Sequence, residues 1–468
     1  MRLKPNNLAA TIVCSCTLAA CAGSGAPGSG TPGGALHDSA AGSLRDGSGL
    51  QLAADAKKTK PKIQHVIILM QENRSFDNLF YGFPGANTAV GGLNSQGKYI
   101  QLQPEPLEAD YGLEHSSPDF FAACDGSPPG ENCKMDAFDK EEAYGQKIPS
   151  NPEFGYVPAS ETKPYFQMAQ SYVLADNMFT SHIDASFVSH QYIIAGQANS
   201  AVDLPVTQWG CGGNVNDTVE TLNQDRSYGP SISPCFNSET LADEVDAAKL
   251  TWRFYATASS SPSDYPWSAY QAISHIYTGK EWTTNVINPP SQFLTDVANG
   301  KLASVTWITP TWSNSDHATS LSNTGPAWVA SVVNAVGQSK FWKTSTIFIM
   351  WDEWGGWYDH VPPPYVDYDG LGIRVPLIMI SPYAKKGYVS HVQYEHGSIL
   401  RYVEDNFGLA QLAASDARAN DPAVDAFDYT QKPRKFAPFS SAKKADYFIH
   451  EPIDPRPPDD DWMAPKKH

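Results

Sequence analysis

Hydrophobic positions in this chain fall into two patterns. The first is the unbroken apolar run: Val66 to Met70 (VIILM), Thr344 to Trp351 (TSTIFIMW) and Val375 to Ser381 (VPLIMIS). Short runs of this kind, rich in β-branched residues and without alternation, belong to strands covered on both faces. Thr251–Tyr255 and Ser304–Thr309 read as two further strands. The second pattern is helical: Ala327 to Gly337, Ser398 to Phe407 stopped by Gly408, and Ser186 to Gly196. A short helix over Pro164 to Ala175 leads towards a strand. Buried strands alternating with helices predict an α/β fold, a mainly parallel sheet sandwiched by helices. Long insertions sit over one edge of it. Asn78 to Gly92 is a turn-rich loop, residues 93–160 are irregular, and residues 201–245 form a polar, Gly/Asn-rich insertion suited to face a substrate. There is no internal repeat.

The ends of the chain are different in kind. Arg2 and Lys4 precede an apolar stretch, Leu8 to Ala20, which is too short to span a bilayer. It closes on Leu18-Ala19-Ala20-Cys21, which resembles a bacterial lipoprotein signal with Cys21 as the lipidated residue. The alternative is an ordinary secretory signal. Both export the chain, to the cell envelope (lipid-anchored, periplasmic or surface) or the medium. Residues 1–20 are then the signal and 21–61 a flexible Gly/Ala/Ser linker. The folded part is expected over 62–430, with a loosely ordered Pro/Asp/Lys tail over 431–468. No later segment reads as a transmembrane helix.

The chain has 468 residues, 41% of them hydrophobic, which is ample for a core. Its formal net charge of −17 comes with no basic block, which argues against a nucleic-acid groove. Once Cys14, Cys16 and Cys21 are set aside, Cys124, Cys133, Cys211 and Cys235 remain. An even number in an oxidising compartment reads as disulfides. Of the three pairings, Cys124–Cys133 with Cys211–Cys235 closes two local loops; a zinc site is the rival, though the spacings fit it poorly.

Polar chemistry begins where the apolar runs stop. Glu72-Asn73 follows VIILM, and Asp352-Glu353 follows TIFIMW. Parallel strands bring their carboxyl ends to one edge, so three carboxylates and an amide converge there. Uncompensated, they would repel in a low-dielectric cleft, and a divalent cation is the simple remedy. Taken alone, Glu72 reads first as a helix cap and Asn73 as a turn residue; the pairing with the second acidic tip reverses that reading. Histidines gather near polar turns: His115, His182, His190, His317, His360, His391 and His396. Several stand beside acids, as in Asp316-His317 and Asp359-His360, which suits phosphate binding or proton transfer. Ser186 opens a predicted helix, where it is either an N-cap or a nucleophile favoured by the helix dipole.

Four stretches carry a resemblance. They are HVIILMQENRSFDNLFYGFPG, DNMFTSHIDASFVSHQY, WDEWGGWYDHVPPP and GIRVPLIMISPYAKKGYVSHVQYEHGSILRYVEDNFGL. Together they resemble the bacterial phosphoesterase family that contains phospholipases C and secreted acid phosphatases, over most of Lys62 to Leu409. The resemblance implies an alkaline-phosphatase-like α/β fold and makes 62–430 the phosphoesterase catalytic domain. It implies one metal held by Glu72, Asn73, Asp352 and Glu353, and attack on phosphorus by Ser186. It implies that His115, Asp316 and His317 contact the phosphoryl or leaving group. His182, His360 and His396 are supporting residues. Two departures favour the acid-phosphatase side. The nucleophile stretch is DASFVSHQ, with Ser186 where phospholipases C carry a threonine. The chain also lacks the length for the extra C-terminal β-domains of many such lipases. The expected function is an exported, metal-dependent phosphoester hydrolase with a phosphoserine intermediate. A phospholipase C and a non-catalytic surface lipoprotein are the alternatives. The metal stays open among Ca, Mg, Mn, Zn and Fe.

Overall fold

The computed structural model describes residues 61–206, 209–213, 216–256 and 267–452. The expected signal, the lipidation site Cys21 and nearly all of the linker lie outside the described residues.

At the centre is one eight-stranded sheet. Its strands are β1 (His65–Gln71), β2 (Val173–Ala175), β3 (Trp252–Tyr255), β4 (Val286–Ile287), β5 (Val305–Ile308), β6 (Ser345–Trp351), β7 (Leu377–Ile380) and β8 (Tyr388–Ser390). They lie in the order β4-β3-β5-β1-β6-β7-β2-β8. Five of the seven pairings are parallel, and β7 alone runs against its neighbours. The mainly parallel α/β architecture is therefore as expected. Every residue of β5, β6 and β7 is buried, and in β1 only His65 is partly exposed.

Helices cover both faces. They include α1 (Lys163–Ser171), α2 (Ser186–Ala195), α3 (Gly325–Gly337) and α4 (His396–Phe407). Side chains alternate along a strand, and β6 shows where each set goes. Thr346 bonds the Tyr402 hydroxyl of α4 at 2.8 Å and Phe348 packs edge-on against the same ring. Trp351 packs edge-on against Tyr165 of α1, 5.0 Å away. Helix stops follow the sequence: Gly196 and Gly408 close α2 and α4 in left-handed conformations, with φ of 64° and 70°.

Three differences stand out. The helix expected over Pro164–Ala175 ends at Ser171, and Val173–Ala175 becomes β2, because pairing with β7 and β8 outweighs local propensity. Strands β4 and β8 are too short to show in the hydrophobic pattern. The tail expected from 431 is also packed as far as 452. Phe439 and Phe448 are buried, Asn334 of α3 bonds the Phe439 backbone twice, and Ala445–Ile449 is helical. Residues 453–468 lie outside the described residues.

The irregular 93–160 region carries short paired strands and a helix, Ser117–Cys124. Both disulfides, Cys124–Cys133 and Cys211–Cys235, are formed as expected. Among the described residues no helix is long and apolar enough to cross a membrane.

Candidate active site

Strands β1 and β6 pair in parallel register to their last residues, Gln71 opposite Trp351. The next residues on each, Glu72 and Asp352, therefore emerge side by side. The Asp352 N–H donates to the Gln71 carbonyl, and the Asn73 N–H donates to Asp352 Oδ1, both at 2.9 Å. Asn73 is left-handed, with φ of 57°, a conformation that asparagine tolerates. This turn brings the Arg74 N–H to the Glu353 carbonyl. A side chain at Gly355, itself at φ 63°, would put Cβ 2.3 Å from the Asn73 carbonyl, so only glycine lets the second tip fold over the first.

Helix α2 completes the group. Ser189 Oγ donates to the Asp352 carbonyl at 2.6 Å and pins the helix to the tip of β6. One residue on, His190 Nδ1–H donates to the Trp267 carbonyl at 2.9 Å, which leaves Nε2 facing the acids. Nε2 lies 3.2 Å from Glu72 Oε1 and 3.9 Å from Asp352 Oδ2. One atom from each of Glu72, His190 and Asp352 lies within 4.8 Å of the other two, and all three residues are buried. Burial first, and then the charge of Glu72, pushes the Asp352 carboxyl well above its usual range. Burial pulls His190 down to about 4 against the pull of Asp352. A neutral imidazole whose far nitrogen is tied to a carbonyl is the second-layer arrangement found around metal-bound histidines. Asn73 Oδ1 is buried beside the group and has no hydrogen-bond partner. These donors fit a divalent cation.

Ser186 lies one helical turn before His190. Residues four apart on a helix have Cβ atoms about 6 Å apart. The N-cap of α2 is Ala185, so Ser186 is not the cap; its Oγ is buried and has no hydrogen-bond partner. His182 Nδ1 accepts the Asp184 N–H, which places its proton on Nε2. His182 packs 5.6 Å from His396 between ring centroids. Burial, and then the charges of His396 and His190, hold His182 neutral, and burial, then the charge of His190, holds His396 at about 3.

The remaining expected residues divide. His115 Nδ1–H donates to the Leu113 carbonyl, and its Nε2 lies 3.0 Å from Asn73 Nδ2 and 3.3 Å from Glu353 Oε1. The other Glu353 oxygen accepts the Gly355 N–H at 2.6 Å. Glu353 thus folds back on its own loop beside His115, while His190 takes the place nearest Glu72 and Asp352. His317 stacks on Trp312, and rings of Trp312, Trp267 and His190 continue the stack. Asp316 is a brace: Tyr165 donates to its Oδ2 at 2.6 Å and Arg74 to its carbonyl at 2.8 Å. Burial raises its carboxyl to about 6. His360 is also committed elsewhere. Its Nδ1 bonds Asp77 at 2.6 Å and its Nε2 faces Asn87 Oδ1, within a network where Arg374 clamps Asp359. His190 stands outside the expected ligand set. The signal for it was its spacing of four from Ser186 on a predicted helix.

A model of the Phosphoesterase family matches residues 63–410. A non-hemolytic phospholipase C of Pseudomonas aeruginosa is 25% identical over 395 residues, which cover 75% of this chain and 54% of that protein. A non-specific phospholipase C1 of Arabidopsis thaliana is 24% identical over 402 residues, covering 75% of this chain and 68% of the plant protein. The chain spans about half the length of the Pseudomonas and Burkholderia relatives it matches. Among solved structures, a protein in the alkaline phosphatase superfamily from Vibrio parahaemolyticus aligns at 8% identity and a TM-score of 0.35, over 77% of this chain and 71% of that one.

Proposed function

The chain belongs to the Phosphoesterase family, and on that premise we propose that it is an exported, metal-dependent phosphoester hydrolase of acid-phosphatase type with Ser186 as nucleophile. One observation carries the reading: a buried serine hydroxyl without a partner, one helical turn from an imidazole that faces two buried carboxylates. Glu72, Asp352 and His190, with Asn73 Oδ1 beside them, would hold the ion, which supplies charge for a phosphoryl oxygen and for the serine alkoxide. The opening turn of α2 offers backbone N–H groups to the phosphoryl oxygens. Neutral His182 presents Nε2–H to the same oxygens. Ser186 Oγ forms a bond to phosphorus as the bond to the leaving oxygen breaks. The serine proton passes to solvent or a neighbouring base, and His317 protonates the departing alcohol. Water then cleaves the phosphoserine.

Ser186→Ala is expected to lower kcat by about 10³-fold or more, with metal content unchanged. Ordinary turnover in that variant, with the metal retained, removes the nucleophile assignment. The names of the relatives favour a second reading, a phospholipase C acting on phospholipid head groups. Turnover of p-nitrophenyl phosphate against phosphatidylcholine on one preparation separates the two. Export and a lipid on Cys21 belong to the same proposal, and mass spectrometry of the N-terminal peptide tests them.

A further inference from the structure

The edge of the sheet opposite the candidate site has a charge pattern of its own. All strands except β7 run the same way, so their amino ends, and the carboxyl end of β7, share this edge. Most of the loops that enter it bring cations; the link into β2 has none, and the loop into β4 pairs Lys280 with Glu281. Lys249 precedes β3, Lys301 precedes β5 and Lys62 precedes β1. Lys340 and Lys343 precede β6, and Lys385-Lys386 joins β7 to β8. The segment around Lys432, Arg434 and Lys435 docks on the last of these loops. The Arg434 N–H donates to the Pro382 carbonyl and its Nη2 to the Ala384 carbonyl. Residues 61–64, 248–251, 299–304, 337–344, 381–387 and 430–440 contain no aspartate or glutamate. In a chain of net charge −17 this edge is therefore positive. Asp425, 3.6 Å from Lys385 Nζ, and Asp428, which interacts with Lys62, offset two of its charges. Lys62, Lys301, Lys343, Lys386 and Lys435 are exposed.

Two further features lie on the same edge. Lys386, Arg434 and Lys435 line a cleft of about 620 Å³ beside the end of α1. Arg434 lies over the Tyr172 ring at 4.6 Å, and its Nε has no hydrogen-bond partner. The described part of the chain also enters the fold here, at Lys62. Acids gather at the other edge, with Glu72, Asp352 and Glu353 at the strand tips. The two edges are separated by a strand of seven residues, about 23 Å at 3.3 Å per residue.

We propose that this basic edge is a docking face for an anionic lipid bilayer, and that it holds the candidate site turned away from that bilayer. The eight strands present a face about 34 Å wide at ~4.8 Å per strand, with cations spread along it rather than massed. A bilayer surface matches that shape, since each cation near an anionic leaflet contributes on its own. The orientation rests on the hydrolase reading. It makes a water-soluble phosphoester, reached from the side away from the bilayer, the substrate class.

The test uses the full chain carrying Cys21→Ser, so that no acyl chain supplies the binding. It is mixed with vesicles of phosphatidylglycerol and phosphatidylcholine, or of phosphatidylcholine alone, at low and high salt. Binding to the anionic vesicles alone, lost at high salt, is expected. Reversing three edge charges together (Lys343→Glu, Lys386→Glu, Lys435→Glu) should weaken it on the order of 100-fold. Reversing Lys98, Lys140 and Lys147, in the 93–160 region, should leave it unchanged. Equal binding to both vesicle types, indifference to the edge variant, or capture by a soluble polyanion but not by anionic vesicles overturns the docking face. Bound and free protein should turn over p-nitrophenyl phosphate equally, and suppression on binding overturns the orientation. Absence of any phosphatase turnover in the free chain overturns the acid-phosphatase reading and leaves the vesicle result standing.

Discussion

Glu72 and Asp352 lie at the ends of two strands that pair to their last residue, and this was legible because each acid directly follows an apolar run. The role of His190 was not, since the choice among seven histidines depends on which helix face meets the acids. His190→Ala is expected to reduce metal affinity by about 10-fold or more, which elemental analysis after dialysis would read. Asp316→Asn should retain the metal, because that carboxylate is turned to Tyr165. His360 gives a residue-scale pH effect. Its hydrogen bond and ion pair with Asp77 raise the imidazole pKa despite burial. The folded value lies above the unfolded one, so the contribution is complete below about pH 6.5. It is lost as pH rises through the raised value. In His360→Gln, stability measured by urea unfolding should fall less than in the parent across that window, and an unchanged slope removes the assignment.

Elements with long patterns were readable: the three apolar strands and the helices ended by Gly196 and Gly408 all form where expected. What failed were short strands, whose few residues carry no periodicity, and the segment after 430. The latter is rich in Pro and Lys and looks like tail, yet its aromatic residues fill a surface of α3. Phe448 packs on Trp328 at 5.4 Å, and Phe439 is buried beside Tyr172 and Phe436. A chain ending at residue 430 should therefore be destabilised. The single change Phe448→Ala should cost about 3–5 kcal/mol if the site cannot relax. Urea midpoints for the two against the parent would show it, and a midpoint equal to the parent's would restore 430 as the boundary.

At the level of the whole molecule, the two middle strands that carry the acids also form the centre of the sheet. Removal of a bound ion would leave Glu72 and Asp352 to repel each other there. Chelation is expected to lower both activity and Tm, and the restored ion to recover both. A Tm indifferent to chelator would mean the carboxylates share a proton instead. The charge asymmetry between the two edges is invisible along the sequence. Its cations arrive one or two at a time from loops hundreds of residues apart, and only the direction of the strands collects them. The two disulfides, by contrast, were readable from four cysteines, and both local loops close as expected.

Helix α2 fixes three parts of the site within five residues: Ser186, the Ser189 bond to Asp352, and His190. Each added residue turns an α-helix by about 100°. One insertion or deletion between 186 and 190 would therefore swing the hydroxyl out of line with the imidazole while every side chain kept its identity. Variation in length is thus the change this stretch can least absorb, and with Ser186 as the proposed nucleophile a single-codon gain there would silence the site as surely as loss of the serine.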